Sequence, residues 1–169
     1  MILAQEAKCC LKSTFVSNKI TFMTTELILR YFHFISIFTI VGCLVSEHLL
    51  LKKEMTPREL DRLARIDLIY GIAAITLLIA GLTLWLGSFG KPSVVYSKNW
   101  IFHIKITLFA TIGILSIYPT VFFLKNRGNQ DKTIVIPASI FWLLRIEILL
   151  LFIIPLLAGL MSRGVGYFG

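Results

Sequence analysis

Apolar residues in this chain gather into four long blocks separated by short polar breaks. Leu27–Leu51, Leu68–Leu86, Trp100–Leu124 and Pro137–Met161 each supply roughly the 20 apolar residues that cross about 30 Å of hydrocarbon at 1.5 Å per residue. Little is left over for a soluble domain. Thr56-Pro57-Arg58-Glu59 combines an N-cap threonine, a proline at the first helical position and a glutamate three residues after the cap. A helix therefore starts there, about three turns before its hydrocarbon-crossing part. Gly87–Ser93 and Lys125–Asn129 are turn-rich breaks that end the second and third helices. The pattern predicts an all-α fold, a transmembrane four-helix up-down bundle, with helices over 27–51, 57–87, 98–124 and 137–161. Connections this short make sequential helices antiparallel neighbours. Gly71, Ala74 and Gly81 share one side of the second helix, where they would admit a neighbouring backbone. Pro119 and Pro155 are expected kinks in the third and fourth.

Composition agrees: 57% of the residues are hydrophobic and only 15% are charged, well outside the range of soluble chains. The basic balance, 17 Lys and Arg against 9 Asp and Glu, reports topology rather than nucleic acid. The two connections after helices one and three carry Lys52, Lys53, Arg58, Arg62, Arg65, Lys125, Arg127 and Lys132. The other side carries Arg30, Lys91, Lys98 and Arg163, with Lys8, Lys12 and Lys19 in addition if residues 1–22 are present. The excess predicts a multi-pass protein of the cytoplasmic (inner) membrane with both termini outside. Residues 1–22 lack a continuous apolar core and a small-residue cleavage site, so they are not a signal peptide, and Met23 is an alternative start. Cys9 and Cys10 fall in that stretch, and with Cys43 they give no disulfide framework.

Ionisable side chains inside hydrocarbon cost roughly 2.5 to 3.5 kcal/mol each, so each calls for a partner or a function. With every helix midpoint at the bilayer centre, His33 lies about 9 Å toward the outside, Lys105 about 10 Å and His103 about 13 Å. These three make an outer, nitrogen-rich layer. Toward the cytoplasm lie Glu47 at about 12 Å, Arg65 and Asp67 at about 15 to 18 Å, and Arg145 and Glu147 within about 3 to 6 Å of the centre. Opposite signs in this inner layer predict carboxylate–guanidinium pairs, for instance Glu47 or Asp67 with Arg145. At 100° per residue, Ser36, Cys43 and Glu47 fall within about 80° of His33, so the first helix turns one polar stripe inward. His48 is offset and lies near the boundary, and Arg58, Asp61, Arg62 and Arg65 form a collar at the headgroups. His103 and Lys105 are two residues apart and cannot both face the centre. Lys105, whose depth matches His33, is the one aimed inward, and His103 is the alternative.

A histidine on helix one and a nitrogen donor on helix three would bracket a haem b, with His33 and Lys105 on the iron and Arg30, Lys98 or Arg163 on the propionates. No Cys-x-x-Cys-His, His-Glu-x-x-His, glycine-rich phosphate loop or nucleophile elbow occurs, which leaves the familiar motif-borne chemistries without a foothold.

At Leu29-Arg30-Tyr31-Phe32-His33-Phe34, Glu47-His48-Leu49-Leu50-Leu51 and Leu63-Ala64-Arg65-Ile66-Asp67-Leu68-Ile69-Tyr70-Gly71 the chain resembles a bacterial family of predicted four-helix membrane proteins of unknown function. That resemblance covers Met23 to the C-terminus and implies a topology, with no activity. A more distant one is to the HemJ-type protoporphyrinogen IX oxidases. It rests on the His33 region, on Trp100 followed by His103-Ile104-Lys105-Ile106, and on Arg145 and Glu147, and it implies haem at His33 and Lys105. The tryptophan-to-lysine spacing is one residue longer here, and the arginine–glutamate segment lacks that family's asparagine and proline.

Three functions compete at this point. One is a haem-dependent redox protein with a quinone or porphyrin as partner. Another is a scaffold or accessory subunit whose buried ion pairs lock the helices. The third is a proton-coupled carrier using Glu47, Asp67 and Glu147, for which a homo-oligomer would supply the missing helices.

Overall fold

The structure, a computed structural model, describes residues 2–87, 97–127 and 133–166, with side chains from Thr21 onward. Its elements are α1 (Ile2–Leu50), β1 (Glu54–Met55), α2 (Pro57–Leu86), α3 (Trp100–Asn126), β2 (Ile134–Val135) and α4 (Ala138–Ser162). Cys9, Cys10, Lys8, Lys12 and Lys19 lie outside the described side chains. Lys91, Lys132, residues 88–93 of the first turn-rich break and 128–129 of the second lie outside the described residues.

Caps decide where the helices begin. The Thr56 hydroxyl accepts from the Glu59 backbone N–H, and the Glu59 carboxylate accepts from the Thr56 N–H at 2.9 Å, so two otherwise orphaned donors satisfy each other's side chains. On α3 the cap is Asn99, whose Oδ1 accepts from the Ile101 N–H at 2.9 Å. Asn99 also donates through Nδ2 to the Val165 carbonyl, while the Trp100 N–H donates to the Gly166 carbonyl. The chain after α4 is thereby clipped to the start of α3. The clip requires glycine: Gly166 has φ +85°, and a Cβ there would lie 2.7 Å from Ile101 Cγ1. Pro119 and Pro155 sit inside helices that continue past them.

Four segments, Thr21–Leu50, Pro57–Leu86, Trp100–Asn126 and Ala138–Ser162, are long and apolar enough to cross a membrane. They form an up-down ring in which α1 packs most extensively on α2, α3 packs on α4, and the α1–α4 and α2–α3 seams close the circle. Leu27, Phe38, Ile114, Leu149 and Phe152 are each about two-thirds exposed, an outward apolar surface that suits lipid and would aggregate in water. The helices of this membrane protein meet lipid directly.

One element had no counterpart in the sequence reading. β1 and β2 pair antiparallel, Glu54 opposite Val135 and Met55 opposite Ile134, and Ile136 N–H donates to the Lys53 carbonyl. The ladder ties the α1–α2 connection to the α3–α4 connection at one end of the bundle. Beneath it, Leu51, Met55, Leu60, Leu63, Phe123, Ile136 and Ile140 are buried to within a few per cent and plug that end. Its only local signal is the β-branched run Thr133–Ile136.

Candidate functional site

Helical phase brings three carboxyl groups into the core from three helices. Ser36, Ile40, Cys43, Leu44 and Glu47 follow the three-and-four spacing of one face of α1 and are all buried, as that spacing requires. On α2 the same spacing turns Leu60, Leu63, Ala64, Asp67 and Tyr70 inward, and on α4 it turns Ile140, Leu144 and Glu147 inward. Glu47 is 1% exposed, Asp67 4% and Glu147 0%. Glu47 lies within electrostatic reach of Asp67 and Glu147, and Tyr70 within reach of all three. The Asp67 Oδ1 accepts from the Thr120 hydroxyl at 2.9 Å, a buried bond between α2 and α3. The Tyr70 hydroxyl lies near the Ser116 side chain on α3. Glu47 Oε1 and both carboxyl oxygens of Glu147 have no hydrogen-bond partner.

The expected ion pairs of this layer do not form. Arg145 is on the exposed face of α4, its guanidinium 5.6 Å from the centroid of the Trp142 ring. Arg65 is exposed and bonds Asp61 one turn earlier at 2.7 Å, and Arg127 reaches the same Asp61 at 2.9 Å. Among the described residues no cation pairs with Glu47, Asp67 or Glu147. The correction has a simple cause: Arg65 precedes Asp67 by two residues and Arg145 precedes Glu147 by two. Residues so spaced lie about 200° apart around a helix, so when the carboxyl faces inward the guanidinium faces out. The rule that separates His103 from Lys105 applies equally to these two pairs. Among the described residues, the core therefore holds no carboxylate–guanidinium pair.

The outer layer lies about 21 Å along α1 from Glu47, fourteen residues at 1.5 Å each. His33 is half-buried and its ring rests on Gly81 of α2, where an added Cβ would be 3.5 Å from its Cε1 and 3.7 Å from its Nδ1. Nδ1 is buried without a hydrogen-bond partner, and the Leu77 backbone is within hydrogen-bonding reach of the ring. Lys105 on α3 is half-buried and within electrostatic reach of His33, as is Arg30. His103 turns outward and donates through Nε2 to the Ser97 carbonyl at 2.9 Å. Arg30 is bound to Glu26 one turn earlier, at 2.7 and 2.9 Å, a partner that helical spacing alone supplies. His33 and Lys105 thus share a layer, but they stand on helices diagonal in the ring and the imidazole is pressed against α2. The His33 ring lies against α2 at Gly81, and Lys105 reaches toward it from α3. Among the described residues no three His, Cys, Asp or Glu side chains gather closely enough to hold a metal ion.

Gly71 does not seat a neighbouring backbone either. Nothing lies within 4 Å of a Cβ placed there, nor at Gly113 of α3, and between these two glycines the α2–α3 seam opens into a cleft of about 440 Å³. Tyr70, Ser116 and Thr120 were missed as site residues. Tyr70 was legible as the residue one helical step from Asp67 on the same face. The two hydroxyls on α3 were not, because their role depends on which face of α3 meets α2.

A family model described as a predicted membrane protein (DUF2214) matches residues 25–166. No curated protein and no solved structure matches the chain.

Proposed function

We infer that this chain, which belongs to the DUF2214 family of predicted membrane proteins, handles protons within the bilayer as a proton-coupled carrier. Glu47, Asp67 and Glu147 are the groups that take up and pass on those protons. The observation that carries this reading is three buried carboxyls from three helices within electrostatic reach of one another, with no cation paired to them among the described residues. Like charges repel strongly where the surround is of low dielectric, and desolvation adds to this. The cluster therefore cannot be fully ionised, and it keeps exchangeable protons that can move from one carboxyl to the next. The Thr120 hydroxyl, bonded to Asp67, extends the chain of exchangeable groups toward α3. Orphaned oxygens on Glu47 and Glu147 are the groups left open to receive a proton or the partner that brings one. We place the ladder end in the cytoplasm of an inner membrane, because the two connections there carry the excess of lysine and arginine, and both termini outside.

The test is proton flux into liposomes containing the purified protein and a trapped pH-sensitive dye, under an imposed potential. Wild type should dissipate the gradient, Glu47→Gln and Glu147→Gln should fall to the level of protein-free liposomes, and Arg145→Gln should match wild type. Flux in Glu147→Gln equal to wild type would overturn the assignment.

Haem b between α1 and α3 is the second reading, favoured by one observation: His33 Nδ1 is a buried ring nitrogen without a partner, in the same layer as Lys105. In that reading His33 and Lys105 hold the iron of a redox protein. An absorption spectrum of protein purified after haem-replete growth decides it; no Soret band ends the reading, and loss of the band in His33→Ala supports it.

A further inference from the structure

We propose that the cleft in the α2–α3 seam is a binding site for a neutral, flat, lipophilic carbonyl or hydroxyl ring of the quinone class, which reaches it sideways from the bilayer. The proposal goes beyond the proton reading and does not rest on it. The cleft, open along its outer side, offers about 440 Å³, within the roughly 300–1,000 Å³ typical of small-molecule sites. None of the residues around it carries a charge. A phosphate, carboxylate or ammonium head would lie in a low-dielectric slot without a counter-ion, which is costly, so charged lipid heads and free fatty acids are poor occupants.

Its walls are otherwise aliphatic, with Phe109 the one phenyl group, and its polar side chains are confined to Tyr70, Ser116 and Thr120. These hydroxyls already use protons among themselves and their neighbours. Thr120 donates to Asp67 and Ser116 donates to the Gly113 carbonyl, and the Tyr70 hydroxyl lies beside Ser116. What they offer a ligand is oxygen lone pairs, together with a Ser116 proton that can be redirected from a local backbone bond. A ring bearing opposed oxygens that accept a hydrogen bond in one state and donate in another matches that set. Gly71 and Gly113 give it thickness, since each faces open space where a side chain would stand. The plugged ladder end closes the axial route, so the bilayer is the side from which such a molecule arrives.

The test uses the full chain in nanodiscs and measures equilibrium binding of a short-tail ubiquinol under reducing conditions, since its hydroxyls can donate to those lone pairs. Saturable binding is expected in wild type. Gly113→Leu, which fills the cleft from a position with no neighbour within 4 Å, should weaken it about tenfold or more. Gly42→Leu, on α1 with equally open surroundings and away from the cleft, should leave it unchanged. Thr120→Val, near-isosteric and lacking the hydroxyl, should weaken binding while thermal unfolding confirms that the bundle is intact. Absence of saturable binding in wild type overturns the proposal, as does equal binding in Gly113→Leu or full competition by an alkane of the same tail length. Proton flux measured in the same Gly113→Leu preparation separates the two ideas, because a loss of quinol binding with flux retained leaves the carboxyl cluster standing alone.

Discussion

Replacing Glu147 by methionine should make this protein more stable and, on the proposed function, remove proton flux. Glu147 is completely buried on α4, and neither of its carboxyl oxygens has a hydrogen-bond partner. A buried polar group left unsatisfied costs roughly 1–3 kcal/mol, and this side chain carries two such atoms beside Asp67, with which it interacts electrostatically. Methionine is unbranched, similar in length and able to fill an irregular gap, so little packing is lost. Taking the lower end for each oxygen gives a gain of about 2 kcal/mol, or about 4–8 °C in melting temperature for a chain of this size. Glu147→Gln is the control. Its amide keeps the polar atoms in the same dry site, so it should change stability by less than about 1 kcal/mol while still abolishing proton exchange. The assay is thermal unfolding in detergent followed by circular dichroism, run beside the liposome flux measurement. A lower melting temperature in Glu147→Met would refute the reasoning, because it would mean that the carboxyl makes a stabilising bond and is not an open proton site. A core that gives up stability at one position is what a functional group in an otherwise consistent fold looks like.

Other predictions follow from the caps, the clip and the misassigned arginine. Thr56→Ala removes the reciprocal cap of α2 and should lower stability by about 1 kcal/mol in the same unfolding assay. Gly166→Ala places a Cβ 2.7 Å from Ile101 Cγ1 at φ +85° and should cost at least about 1–2 kcal/mol, the backbone term alone, with faster proteolysis near the C-terminus. Arg145→Gln should cost less than about 1 kcal/mol, the value of an exposed cation on a tryptophan face. A loss of about 3–5 kcal/mol there would instead signal the buried pair with Glu47 or Asp67 that the geometry excludes.

Much of this architecture is local in origin and so was legible along the chain. Four apolar blocks of spanning length, the Thr56–Glu59 cap and the inward stripe Ser36, Cys43 and Glu47 each follow from residue spacing on a single helix, where 3.6 residues per turn converts sequence directly into direction. Spacing also contains the separation of Arg65 from Asp67 and of Arg145 from Glu147, yet charge complementarity points the other way, and pairing opposite signs by depth alone gives the wrong partners. Depth is a one-dimensional coordinate. Which groups meet also depends on rotation about each axis and on which helices are neighbours.

Those relations exist only once the helices are packed. That α1 and α3 are diagonal and that His33 rests on Gly81 depend on the order of helices around the ring. The bond from Thr120 to Asp67 and the cleft between Gly71 and Gly113 depend on how closely α2 and α3 approach, and the β1–β2 ladder depends on two distant connections ending side by side. Hydrophobic periodicity chooses a buried face for each helix because burial is a property of that helix against a uniform surround. It carries no information about which partner face it meets, because inside a bilayer the lipid is as apolar as the neighbouring helix and close packing with hydrogen bonds makes the choice.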